Sequence, residues 1–438
     1  MEFVFPDRER LEAATDASVE DLPRAYRVSR SRDQPAVDDL DAATVAALED
    51  VPTLDALDPG SSVAITAGSR GIHDMPAVLE AAVEALQERG LEPFVFPAMG
   101  SHGGATDEGQ RETLASLGIT PERVGCEIRS SMDVETVGTD STGQPVYAAM
   151  DALAADAVLL ANRVKLHTDF QADVESGLAK MAVVGLGKQR GAENMHNAAL
   201  DRGFTDVIPE RAEILVDETP IVGGLALVEN ADERAAAVEG VPADDLLEAE
   251  PALLDRSEAL FPSLPIEDLD LLVVDEMGKE VSGTGLDTNV VGRVRFHGQD
   301  EPETPSITRV YVRSLTPPSH GNALGMGLAD LVHEDLAAAV DFGDTYVNIV
   351  TSGEPVRAKL PFVVPSDATA FVLSTSMTGV HDASELRIAR IENTLEPDEL
   401  WVSEPVVEEL RDQEDVVVHE DRPWTFDDHG DLAMPLDP

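Results

Sequence analysis

The stretch "SVAITAGSRGIHDMPAVLEAAVEALQERGLEPFVFPAMGSHGGATDEGQRETLASLG" (residues 62–118) decides the fold class. SVAITAG (62–68) is a short apolar run of strand length. Asp74 then opens a helix with Pro76 in its first turn, where a missing N–H costs little. Leu79, Ala82, Val83 and Leu86 recur at helical spacing, and Gly90 stops the pattern. PFVFP (93–97) reads as a second strand and GSHGGAT (100–106) as a loop, with Thr106 placed to cap the helix DEGQRETLASLG. AVLLAN (157–162) is a third strand. Strand and helix in alternation argue an α/β fold with a largely parallel sheet.

Outward from this core the signals weaken. Residues 1–60 are acidic and helical in tendency, ending at the breaker Asp58-Pro59-Gly60. EALFPSLPIEDLD (258–270) places two prolines between helical and strand patterns and marks a domain boundary. LLVVDE (271–276), TRVYVRS (308–314), TYVNIVT (345–351) and AFVLSTS (370–376) read as strands of a second α/β domain. The expected organisation is an N-terminal α/β domain over 1–262, a C-terminal α/β domain over 263–400, and an acidic tail over 401–438 packing back on the first domain. Both sheets are expected to be mostly parallel, with the site in the cleft between the domains.

Composition narrows the function. The chain has 438 residues, is 43% apolar and carries a formal net charge of −54, with the acid dispersed along its length. Nucleic-acid binding needs a basic face, and none is visible. Dispersed acid with scarce lysine fits a protein of a high-salt cytosol better than a docking surface for a basic partner. Cys126 is the single cysteine, which excludes an internal disulfide and a CxxC metal site. MEFVFPDRERLEAAT lacks the basic and apolar regions of a signal peptide, and no apolar run reaches spanning length. A cytoplasmic protein with no membrane partner is the expectation.

Three polar residues follow the three strands: Arg70 after 62–68, His102 after 93–97 and His167 after 157–162. In a parallel sheet these are carboxyl ends, where open α/β folds bind ligands. Histidine suits proton transfer near neutrality and arginine suits bidentate capture of a carboxylate. Gly103 and Gly104 beside His102 let backbone approach a ligand closely. No nucleotide fingerprint is present, since GLGKQRG (185–191) has the wrong spacing for a phosphate loop. Three of the five lysines, Lys165, Lys180 and Lys188, fall in one stretch with His167 and His196. In a chain that otherwise uses arginine, a retained lysine points to amine chemistry or to a compact charge. Lys180 and His196, sixteen apart across a glycine-rich turn, cannot share one helix face, but a loop could bring both to a ligand.

The run GSHGGATDEGQ, NRVKLHT, ESGLAKM, GLGKQRGA and NMHN resembles the nickel-dependent lactate racemase family, over most of 60–200. DEMGKEVSGTGLDTNVVGR (275–293) and SHGNALGMGLAD (319–330) extend the resemblance to a longer, less characterised branch. The resemblance implies a nickel pincer nucleotide, tethered to a lysine as a thioamide and ligated by a histidine. Lys180 matches the tether and His196 the nickel ligand, with Gly103, Gly104, Ser176 and Gly177 joining the cofactor-binding set. His102 and His167 match the acid/base pair, and Arg70 the carboxylate-binding arginine. Ala179 stands where characterised members carry arginine, and Asp287, Asn289 and Arg293 replace their second-domain contacts, so Asn289 and Arg293 are expected at the substrate.

The expected activity is racemisation or epimerisation of a 2-hydroxy acid, larger or more polar than lactate. Hydride would pass to the cofactor, giving a 2-keto acid, with two histidines exchanging the hydroxyl proton. Two other classes compete: a zinc-dependent hydrolase using His102, His167 and His196, and a non-catalytic protein that binds the nickel cofactor or a sugar acid.

Overall fold

The computed structural model describes residues 7–436, so the start of the segment read above for a signal peptide, residues 1–6, lies outside the described residues. The chain forms two compact units, one from Gln34–Phe261 and the other from the segments on either side of it. In chain order the strands are β1 (Ala25–Arg30), β2 (Ser62–Ala67), β3 (Glu92–Pro97), β4 (Val134–Thr139), β5 (Pro145–Ala149), β6 (Ala157–Arg163), β7 (Ile221–Glu229) and β8 (Ala235–Pro242). They continue with β9 (Asp268–Met277), β10 (Ser306–Leu315), β11 (Leu331–His333), β12 (Phe362–Val364), β13 (Ile388–Ile391), β14 (Glu399–Ser403) and β15 (Val416–Arg422). The fold is α/β with mostly parallel sheets.

The unit 34–261 holds a five-stranded sheet in the order β3-β2-β6-β7-β8, with only β7 and β8 antiparallel. Five of the six residues of β2 are buried, as expected of a strand covered by helices on both faces. The helix Met75–Glu88 buries Leu79, Ala82, Val83 and Leu86 against it, the stripe read from the sequence, and Val78 beside them. Thr106 accepts the N–H of Gly109 at 3.1 Å and so caps the helix Asp107–Ser116. The chain runs from β2 to β3 on one side, then returns to β6 on the other. That reversal makes a topological switch point between β2 and β6, and doubly wound sheets bind ligands beyond the carboxyl ends of the strands at such points.

The other unit is an eight-stranded sheet, β12-β11-β10-β9-β13-β14-β1-β15, parallel from β12 to β13 and antiparallel beyond. Four expectations are corrected here. Residues 25–30, read as helical, form β1, which pairs with β14 and β15. The acidic tail joins this same unit rather than packing on 34–261: β15 extends the sheet, and the carbonyls of Met434 and Pro435 accept Arg390 and Trp401.

TYVNIVT lies in a helix, Phe342–Ser352, capped by Asp341, whose carboxylate accepts from Gly343 and Asp344. The buried pair Thr345 and Ile349 is four apart, a helical spacing inside a β-branched run. AFVLSTS also lies in a helix, Asp367–Met377, capped by Ser366. Residues 367–375 are buried on every side, so no period could show, and the hydroxyls of Ser374 and Thr375 bond back to carbonyls one turn earlier. No helix of the described residues is long and apolar enough to cross a membrane.

Candidate functional site

Arg70, His102 and His167 follow β2, β3 and β6, so adjacent parallel strands present all three at one edge of the sheet. Across that edge runs an almost unbroken helical segment, Leu178–Lys180, then Met181–Leu186 in π geometry, then Lys188–Arg202. The expected loop between Lys180 and His196 is therefore helical. A π stretch takes more residues per turn, which shifts the phase between the two ends, and such stretches gather at functional sites.

The charges define one cluster. Burial pushes the Lys180 amine down to about 8; Arg70 and Lys165 add to this, while Asp169 and Glu175 oppose it. Burial likewise lowers Arg70, with Arg163 adding and Asp169 opposing. His196 is lowered by burial and then by the Lys180 ammonium, again against Asp169. Arg70 and His196 still present surface to water, and Lys180 is half-buried. Asp169 is the anion that Arg70, Lys180 and His196 share.

His167 is placed by its own loop. Lys165 and Ser176 pair through their backbones, and the Glu175 carboxylate accepts the N–H groups of His167 and Ala172. Burial holds Glu175 up to about 7, although those two bonds favour its ionised form. The His167 ring stacks on Phe170 (centroids 4.6 Å), which stacks on Phe204 (4.7 Å). His196 meets Phe204 edge-on at 6.2 Å, so one aromatic wall carries both histidines. Nδ1 of His167 accepts the N–H of Asp169 at 3.0 Å, which puts the proton of the neutral ring on Nε2.

Lys180 is fixed from beneath. Its Nζ lies 3.5 Å from Ser176 Oγ. The peptide of Gly177 approaches Glu250 so closely that a Cβ there would stand 2.5 Å from Glu250 Oε1, so the Glu250 carboxyl packs directly on this peptide. Glu250 is buried, accepts the N–H of Ala179 at 2.7 Å, and is pushed up to about 7 by that burial. Gly177 also accepts from Asn162 Nδ2 at 2.9 Å.

His102 stands exposed at the start of the turn Gly103–Ala105. Gly103 and Gly104 have φ of +66° and +64°, and a Cβ on Gly103 would meet the backbone of Gly109 and Gln110 at 2.5 Å. These glycines bend the loop tightly onto the following helix.

In the other unit, Arg293 is buried and its guanidinium donates to the carbonyls of Leu328, Ile307 and Thr308 and pairs with Asp330 at 2.7 Å. Those bonds make it an internal tie, correcting the expectation of a substrate contact. Asn289 Nδ2 donates to Asp287 Oδ1 at 3.1 Å, within the cap of a short helix.

The zinc triad of the competing hydrolase reading is not formed. Among the described residues the one close group of possible metal ligands is His333, Asp367 and Asp431, not the three site histidines. Asp367 there is occupied by Arg313, Tyr311 and the N–H of Leu432, so this group is an ion-pair network.

Asp169, Glu175 and Glu250 were not singled out from the sequence. Glu175 opens the quoted ESGLAKM and Asp169 follows directly on NRVKLHT, so both carried a signal in their place beside Lys180 and His167. Glu250 lies 71 residues from Ala179 and carried none.

These features define an α/β protein with a cluster of charged and ionisable side chains at the carboxyl edge of a parallel sheet. No family profile matches the chain, and no curated protein matches it. Among solved structures, the lactate racemase apoprotein from Thermoanaerobacterium thermosaccharolyticum is similar over 85% of this chain and 99% of that one, at TM-score 0.48 and 11% identity.

Proposed function

We propose that the chain is a racemase or epimerase of a 2-hydroxy acid that works with a nickel pincer nucleotide tethered to Lys180. The observation that carries this reading is the grouping of a desolvated amine, a depressed imidazole and a guanidinium around the Asp169 carboxylate. The residues present fit a group of this kind. An amine near pKa 8 is substantially neutral at working pH and therefore nucleophilic, as a thioamide tether requires. An imidazole held below its usual pKa keeps a lone pair for nickel, which His196 would ligate. When bound, the group supplies an acceptor and donor for hydride at C2 of the substrate.

The rest falls to the chain. Arg70 grips the substrate carboxylate with a fork that a lysine cannot reproduce. His102 and His167 hold and return the hydroxyl proton from the two sides. His167 is equipped for both of its protonation states. The N–H of Asp169 donates to the neutral ring at Nδ1, and the Asp169 carboxylate, 3.9 Å from the same atom, can take over when the ring is charged. Ser176, whose Oγ lies 3.5 Å from Lys180 Nζ, would complete the cofactor-binding set with Gly103, Gly104 and Gly177.

The test is intact mass and nickel content of protein made with and without the cofactor-making enzymes, then a racemisation screen of 2-hydroxy acids in molar potassium chloride. An adduct on Lys180 with stoichiometric nickel and turnover of one acid is expected. An adduct and nickel with no turnover of any acid would leave a cofactor-binding protein and sink the catalytic reading.

A further inference from the structure

Lys188 is fully buried, yet it is neither the expected tether nor a surface charge. Its Nζ donates to the carbonyl of Pro97, at the end of β3, at 2.5 Å and to Gln110 Oε1 at 3.2 Å. Gln110 is itself fully buried, on the helix that follows the His102 loop. Its Nε2 donates to the carbonyls of Gly100 (3.0 Å) and His102 (3.3 Å). One ammonium and one amide thus tie together the strand end, both sides of the turn and the first residue of the helix that carries His196. Lys188 sits at φ +51°, a backbone state that side chains other than glycine rarely adopt. A residue held in that state, with its charge buried, is over-determined by its surroundings.

We infer that Lys188 and Gln110 are positioning residues: a buried clamp that fixes the His102 loop relative to the helix bearing His196. Both partners are single oxygen acceptors in a closed space. A compact ammonium satisfies them, whereas the planar guanidinium would need two coplanar acceptors and more room. This accounts for a lysine in a chain that prefers arginine. A flexible polar amide at 110 serves because it must accept from one side and donate to the other. The clamp stands apart from the racemase reading, and only its effect on turnover rests on it.

The test uses Gln110→Leu, Gln110→Glu and Lys188→Met in the full chain at high salt. Hydrogen exchange is followed at residues 98–106, and the His102 ring is titrated by NMR in protein without cofactor. Gln110→Leu and Lys188→Met should speed exchange in 98–106 by at least about tenfold, with exchange in Met75–Glu88 unchanged, and should move the His102 titration midpoint. Gln110→Glu keeps the acceptor for Lys188 and loses the two donations, so it should loosen the loop while exchange in Met75–Glu88 stays unchanged. It decides the matter if the other two fail to fold. In cofactor-loaded protein, kcat should fall roughly a hundredfold with KM little changed and nickel content intact. Unchanged loop exchange and His102 midpoint in Gln110→Glu would overturn the clamp. If no variant or parent racemises any acid but the loop loosens as stated, the clamp holds and the racemase reading fails.

Discussion

Glu250 Oε1 accepts the backbone N–H of Ala179 at 2.7 Å, immediately before Lys180, so a buried carboxyl anchors the start of the helix that carries the proposed tether. Burial is what sets its charge state. Its carboxyl titrates near 7 in the folded chain, against 4.5 ordinarily.

That difference gives a pH dependence of definite sign. Between those two values the folded chain holds a proton that the unfolded chain has released. The stability that the neutral carboxyl contributes is full below about pH 4.5 and is lost as pH rises through 7, on the order of 3 kcal/mol. Glu250→Gln should therefore match the parent at pH 5 and exceed it at pH 8. Chemical denaturation of both proteins across that range checks this, and parallel curves would refute it.

Lys180 and Lys188 share a lowered pKa of about 8 but differ in access, since Lys180 is half-buried and Lys188 is sealed. At pH 8 roughly half of such an amine is neutral, against about 0.3% for an ordinary lysine. An amine-selective acylating reagent at limiting dose should label Lys180 first, with a pH midpoint near 8, and leave Lys188 untouched. Peptide mapping reads this directly. First labelling at Lys279 or Lys359 would contradict the assignment.

Nickel content and turnover should separate the site residues. His196→Ala should lose nickel, while His102→Ala and His167→Ala should keep it and lose racemisation by at least about a hundredfold. Arg70→Lys should raise KM by one to two orders of magnitude, roughly 1.5–3 kcal/mol, for the loss of a bidentate contact. Metal analysis beside initial rates decides among these. Normal nickel in His196→Ala would reassign the ligand.

Net charge of −54 predicts dependence on salt. Counterions at 1 M screen to about 3 Å, which removes most repulsion between surface carboxylates. Melting temperature should climb by more than roughly 10 °C between 0.1 and 3 M potassium chloride. A flat profile would show that the charge is not felt by the folded chain.

The parallel sheet around 62–97 was legible because local signals agreed: apolar strands, a helical stripe, Pro76, Gly90 and Thr106 each point the same way. The helices at 342–352 and 367–377 were not, because β-branched and hydroxyl residues read as strand while the deciding contacts were a cap at Asp341 and burial from all directions. Strand β1 was hidden by its acidic flanks and by partners near the other end of the chain. At the site, the positions of Arg70, His102 and His167 just beyond strand ends were readable. The charge states of Lys180 and Glu250 were not, since they come from burial that no local pattern encodes. Arg293 looked like a ligand for the same reason: its carbonyl partners are set by tertiary packing.

The placement of β1 between β14 and β15 has a consequence for biosynthesis. Ser29 in β1 meets His419 in β15 at 2.6 Å, though the two are 390 residues apart. At ribosomal speeds of about 5–20 residues per second, β1 waits some tens of seconds for its neighbours. All of 34–261 emerges within that interval and has its five strands to hand. The chain therefore completes its middle before its ends, and any product cut short before residue 399 leaves β1 as an open strand with neither neighbour to pair with, a ready template for aggregation.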